Sequence, residues 1–272
     1  MWLEVDGAKL YYQVEGAGPV LLVAQSGEGD ADRSVDLVRH LVDSFTVVTY
    51  DRRGLSRSTV DDPSRPVSVA EHDRDAAAVL AAVTAEPALM LGCSFGAMIG
   101  LRVAVDHPSS VRLLVAHEPS VLGLLPADER AAVEARLVGL QEVHRAAGWQ
   151  AVVPLLQELL DIDPASQERE PDLTPQSPLA GHRAANFDWF FTQDCSSLLA
   201  NDMTAADLAG LSTRVIPAAG AATNPSMFDH RCAVLLGSAL GVPVAEFPGA
   251  HNGNLTHPRA FAARFKHLVG NP

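Results

Sequence analysis

The chain is short of positive charge, of cysteine and of long apolar runs. Lys and Arg number 20 against 33 Asp and Glu, a formal net charge of −13. That balance argues against nucleic acid or an anionic membrane as the main partner. The three cysteines, Cys93, Cys195 and Cys232, are odd in number and have no metal-ligand spacing. They read as reduced thiols of a reducing compartment rather than a disulfide framework. No run reaches the ~18 apolar residues that a membrane span needs. Met1-Trp2-Leu3-Glu4-Val5-Asp6-Gly7 offers no basic segment followed by an apolar one, so no secretion signal is read there. A cytoplasmic protein is expected, and Asn254-Leu255-Thr256 is then a chance match to a glycosylation acceptor. His117-Glu118 lacks the second histidine of a zinc motif. Gly27-Glu28-Gly29-Asp30-Ala31-Asp32 fails as a dinucleotide loop, because its sixth position is Asp and three carboxylates would repel a pyrophosphate. No metal and no cofactor are expected.

What is present is apolar residue, at 47% of 272, enough for one large α/β domain or one domain with an insertion. An Asp6-Gly7 hairpin signal opens the chain. Short apolar runs of strand length follow at Val20–Ala24, Phe45–Tyr50 and Ala88–Leu91, then at Val111–Ala116, Thr213–Ala219 and Val242–Phe247. Segments of helical spacing lie between them, at Val35–Val42, at Val67–Ala85 and after Gly96. Later ones cover Met227–Leu240 and Arg259–Val269. Such alternation predicts a mostly parallel sheet covered on both faces. Between about 120 and 210 the rhythm changes. Ala127–Ala147, Trp149–Leu160 and Leu179–Thr192 read as helices, a Pro-rich acidic stretch fills 161–178, and no strand is evident. Residues 1–119 and 211–272 are therefore expected to form the core, with 120–210 as a helical cap insertion.

Gly92-Cys93-Ser94-Phe95-Gly96 sits between an apolar strand and an apolar helix. That is the context of a nucleophile elbow, a tight turn that lifts a serine hydroxyl clear of the sheet. The glycines let the helix pack close to the strand, and the Phe95 amide falls at a helix N-terminus. The Cys93 side chain should point away from Ser94, into packing. Serine needs a base near pKa 7. Of ten histidines, His251 is the best placed, in a Gly-rich loop after the last strand, Pro248-Gly249-Ala250-His251-Asn252-Gly253. Sites on open α/β sheets lie at that edge.

The order of Asp51-Arg52-Arg53-Gly54-Leu55-Ser56-Arg57-Ser58, Gly92 to Gly96, a helical insertion and Phe247-Pro248-Gly249-Ala250-His251 resembles the α/β-hydrolase family over essentially the whole chain. The resemblance implies the α/β-hydrolase fold, Ser94 as nucleophile, His251 as general base and an oxyanion hole of two backbone amides. One is Phe95. The other lies in Ser26-Gly27-Glu28-Gly29, which replaces the family's His-Gly; Glu28 is expected there, with Gly27 beside it. The family's usual acidic position, after Thr213–Ala219, holds Gly220-Ala221-Ala222-Thr223-Asn224-Pro225 without a carboxylate. Glu118, at the end of the preceding strand, is assigned as the acid. Asp229, or Thr223 or Asn224 as a neutral partner, stays open.

The function implied is a serine hydrolase of an ester, thioester or lactone. Its substrate is a small apolar molecule. Trp149, Phe187, Trp189, Phe190 and Phe191 form either its pocket or a plain cap-to-core packing cluster. A ligand-binding protein with weak turnover, or a lyase or cyclase using the same Ser-His pair, are the alternatives. Fold alone does not fix the reaction.

Overall fold

The computed structural model describes residues 1–174 and 182–270. The strands are β1 (Trp2–Val5), β2 (Ala8–Gly16), β3 (Val20–Ala24), β4 (Thr46–Tyr50), β5 (Thr59–Val60), β6 (Ala88–Cys93), β7 (Val111–His117), β8 (Arg214–Gly220) and β9 (Ala245–Phe247). They form one sheet in the order β1-β2-β4-β3-β6-β7-β8-β9, with β5 paired to β2. β2 runs antiparallel to β1, β4 and β5. From β4 to β9 every neighbouring pair is parallel. The order turns back at β3, between β4 and β6, so the crevice for a ligand lies beyond the C-terminal ends of β3 and β6.

The helices are α1 (Val35–Arg39), α2 (Val69–Ala81), α3 (Phe95–Asp106), α4 (Ala127–Ala147), α5 (Trp149–Leu159), α6 (Arg183–Trp189), α7 (Cys195–Leu199), α8 (Phe228–Leu240), α9 (Gly253–Thr256) and α10 (Pro258–Val269). The apolar runs of the parallel strands divide by the period-2 rule. Leu21, Val23, Leu89, Leu91, Leu113 and Val115 pack on one face with α1 and α10, through Leu37, Phe261 and Phe265. Leu22, Ala24, Met90, Leu114 and Ala116 pack on the other with α2, α3 and α8, through Val79, Ile99 and Leu236. Both faces are dry, which is why these strands carry no polar alternation.

Between β7 and β8 the described residues contain α4 to α7 and no strand. The predicted helix at 179–192 begins outside the described residues and from Arg183 runs further than expected. A π-helical turn, Phe190–Asp194, joins α6 to α7. The last strand is shorter than the predicted Val242–Phe247. Gly241 turns left-handed to end α8 and the Val242 N–H caps the Gly237 carbonyl. Pro243 then has no N–H to give a ladder. Among the described residues no helix is long and apolar enough to cross a membrane.

Candidate active site

Ser94 stands between the end of β6 and the first residue of α3, with φ 54° and ψ −117°. A side chain rarely adopts that left-handed conformation, and its strain is held by the surrounding structure. The Ser94 N–H donates to the His117 carbonyl at 2.9 Å, and the Ser94 carbonyl accepts from Ala97 and Met98 in the first turn of α3. Both flanking glycines are sterically required. A β-carbon on Gly92 would lie 2.6 Å from the Ala97 Cα, and one on Gly96 would lie 2.2 Å from the Ala24 carbonyl oxygen. Phe95, as the first residue of α3, carries an N–H with no partner inside the helix. Cys93 is buried in the opposite core layer; burial, and secondarily Glu118, push its thiol up to about 12. It is a packing thiol.

Glu118 follows β7 and also has positive φ, 45°. Its N–H donates to the Ala218 carbonyl of β8 at 2.8 Å. Its Oε1 accepts from the Gly220 N–H at 2.9 Å. Its Oε2 lies 2.6 Å from Nδ1 of His251. An ionised carboxylate only accepts, so Nδ1 carries the proton and Nε2 is left as the basic nitrogen. Burial alone would raise the Glu118 pKa, but the His251 hydrogen bond and the nearby rings outweigh it and hold it at about 2. Burial works against a charged His251 ring, yet the bond to Glu118 and the charge of Asp229 raise its pKa above the ordinary value.

Thus Ser94, Glu118 and His251 come from the C-terminal ends of β6, β7 and β9. Ser94, Phe95 and His251 line one cavity of about 590 Å³. The Ser94 hydroxyl lies 3.1 Å from the hydroxyl of Ser120. Of the alternative partners, Asn224 is exposed and its side chain accepts from Ser226. The Thr223 hydroxyl lies near Glu118 and helps to lower its pKa. Asp229 faces the other ring nitrogen, with Oδ2 3.6 Å from Nε2.

Gly27 and Glu28 line the same cavity. Arg52 draws on the carbonyls of Gln25 and Gly27, and the Asn186 amide on that of Glu28. The loop is therefore pinned through its carbonyls. The Glu28 carboxylate is engaged by Arg183 at 2.7 Å and by Arg33 at 3.9 Å, which offsets its negative charge in the cavity lining.

The five aromatics divide. Phe187 and Phe190 line the cavity with Leu137, Val153 and Leu156. Trp149, Trp189 and Phe191 are not among its lining residues and fall to the packing alternative. Trp149 stacks on Phe187 at 5.6 Å. Phe191 packs on Phe187 and Phe190. The Trp189 ring fills the space that a β-carbon at Gly54 would need.

Sequence reasoning missed Ser120, and missed an ion pair between the segment that joins β7 to β8 and the loop after β4. Arg52 donates to buried Asp194 at 3.0 Å, His72 meets the same carboxylate at 3.2 Å, and the guanidinium lies 4.9 Å from the Phe95 ring centroid. An aspartate between the apolar pairs Phe190-Phe191 and Leu198-Leu199 was the available signal, since a buried carboxylate needs a partner.

Known proteins are similar to the chain over nearly its whole length. A family model described as "alpha/beta hydrolase fold" matches residues 19–143. An uncharacterized hydrolase of Bacillus subtilis, YraK, is 33% identical over 271 residues, covering 98% of this chain and 94% of the relative. A zearalenone hydrolase of Bionectria ochroleuca is 24% identical over 276 residues, covering 94% and 92%. The crystal structure of the enol-lactonase from Burkholderia xenovorans LB400 superposes with a TM-score of 0.75 over 99% of both chains at 17% identity. The chain belongs to the α/β-hydrolase family and is a hydrolase of that fold.

Proposed function

We propose that the protein hydrolyses an ester, thioester or lactone bond of a small apolar molecule through an acyl-enzyme on Ser94. The observation that carries this reading is the 2.6 Å contact between His251 Nδ1 and buried Glu118, because it leaves Nε2 as a base in the cavity that holds the strained Ser94. Relatives and neighbours named as a zearalenone hydrolase and an enol-lactonase support a carbonyl substrate, and the apolar lining supports an apolar one. Residues 120–210 act as a cap over a core formed by 1–119 and 211–272.

In this mechanism the Ser94 hydroxyl leaves Ser120, gives its proton to His251 Nε2 and attacks the carbonyl carbon. The oxyanion accepts from the Phe95 N–H and from Gly27 or Glu28. Glu118 stays ionised and stabilises the imidazolium. The imidazolium protonates the departing alkoxide or thiolate. A water then loses its proton to His251, attacks the acyl carbon, and releases the acid as Ser94 regains its proton.

A panel of aryl esters, acyl thioesters and lactones tests the reading with wild type and Ser94→Ala. Multiple turnover on at least one class, lost in the variant, is expected. Undiminished turnover by Ser94→Ala would overturn it.

A further inference from the structure

His251 stands between two carboxyl groups, with Glu118 2.6 Å from Nδ1 and Asp229 3.6 Å from Nε2. Asp229 is 0% exposed, and neither of its carboxyl oxygens makes a hydrogen bond of full geometry among the described residues, although the Ser120 hydroxyl lies near enough to favour its charged form. It is the second residue of α8 and lines the same cavity as Ser94, Ser120 and His251. Burying such a group so weakly partnered is costly, and the acyl-transfer steps above do not use it. Ser94, meanwhile, has its hydroxyl on Ser120. The resting site therefore has the nucleophile on one neighbour and the base facing another.

We propose that Asp229 is a positioning residue that occupies the Nε2 side of His251 at rest and sets the pH at which that nitrogen becomes available to Ser94. The inference rests on the serine-hydrolase reading. One proton is shared between Asp229 and Nε2. Either the neutral acid faces the neutral ring, donating to it as the gap closes, or the imidazolium faces the carboxylate. In both states the Nε2 lone pair is taken. Losing that one proton leaves an ionised Asp229 and a free basic nitrogen. Burial pushes Asp229 up to about 7, against the pull of His251, so the two groups titrate as a pair. The other titratable groups around them are Glu118, held at about 2, and His117, pushed down to about 4 by burial. Cys232 is raised by burial and by Asp229 itself, and His230 adjoins Asp229 on α8. Glu129 and Arg231 pair with one another nearby.

Histidine-labelled protein followed by NMR between pH 4 and 9 tests this without needing turnover, with His230→Gln as the background control. The wild-type His251 ring should titrate in two coupled steps. In Asp229→Asn a single step should remain, lower by about one pH unit. The acidic limb of kcat/KM should move down equally, making the variant about fivefold faster than wild type one pH unit below the wild-type limb. An unmoved His251 titration, or a fall in kcat at an unmoved limb, overturns the proposal. If Asp229→Asn does not fold, the wild-type curve decides alone, since one simple step overturns it. A coupled titration with no Ser94-dependent turnover would instead count against the hydrolase reading, which separates the two failures.

Discussion

At the residue scale, two polar side chains, Ser94 and Glu118, are held at positive φ beside one cavity. Strain of that kind persists only where the surroundings over-determine it. Ser94→Ala should lower kcat/KM by at least about 10⁴, since the remaining site offers binding and oxyanion donors but no nucleophile. Steady-state kinetics on the best ester check it. Glu118→Gln should cost about 10²–10⁴ in kcat, because an amide can donate to Nδ1 and favour the wrong tautomer. The pH sign follows from the same contact. The neutral ring is the active form and its pKa is raised, so wild-type rates fall as pH drops through a value above the ordinary imidazole one. Removing the Glu118 charge lowers that pKa and moves the limb to more acidic pH. Ser94 and His251 were legible because Gly-x-Ser-x-Gly after a strand and a late Gly-rich histidine loop are local patterns. Glu118 was a candidate only through the resemblance, which allows the acid at the end of the strand before the usual one. Ser120 and the direction in which Asp229 faces were not legible, because both depend on how β7 and α8 meet in space.

At the scale of elements, the elbow works only if α3 can approach β3. The Gly96 α-carbon leaves no room for a β-carbon against Ala24. Gly96→Ala should therefore destabilise the protein by about 1–3 kcal/mol and abolish turnover, read by thermal melting and by rate. The parallel strands were plain in the sequence because burial on both faces leaves uninterrupted apolar runs. β9 was over-read because Val242-Pro243-Val244 has strand composition but serves the exit from α8. The path of α6 into α7 was under-read because its π-helical turn has no periodicity signal of its own. Asp194 on that turn meets Arg52 and His72. Replacing it by Asn leaves the Arg52 charge buried and uncompensated, at a cost of about 3–5 kcal/mol. Hydrogen exchange should then rise first in residues 183–199, around the Asp194 contacts with Arg52 and His72. Uniform exchange across the chain would count against a local latch.

On the scale of the whole molecule, the buried carboxyls act on stability in opposite directions. Glu118 and Asp194 have folded-state pKa values below 4.5 and 3.8, their ordinary ones. They stabilise the fold above those values; the contribution of Glu118 is lost as pH falls toward about 2, and that of Asp194 as pH falls through its own lowered value. Asp229 is raised from 3.8 to about 7. Its cost to the fold grows as pH rises from about 4 to about 7, where folding would force an ionised group to take up a proton. Asp229→Asn should therefore raise Tm by several degrees at pH 8 and by little at pH 4, checked by calorimetry at both. Gaining stability there while shifting the pH profile is the mark of a residue that sets the site's pH response at a cost to the fold. The claim on which the account turns is that this fold presents an activated serine to an open cavity. The most direct measurement is intact-mass labelling with a fluorophosphonate, on wild type and Ser94→Ala. The account predicts one adduct on the wild type and none on the variant; an unlabelled wild type, or an adduct that survives Ser94→Ala, would contradict it.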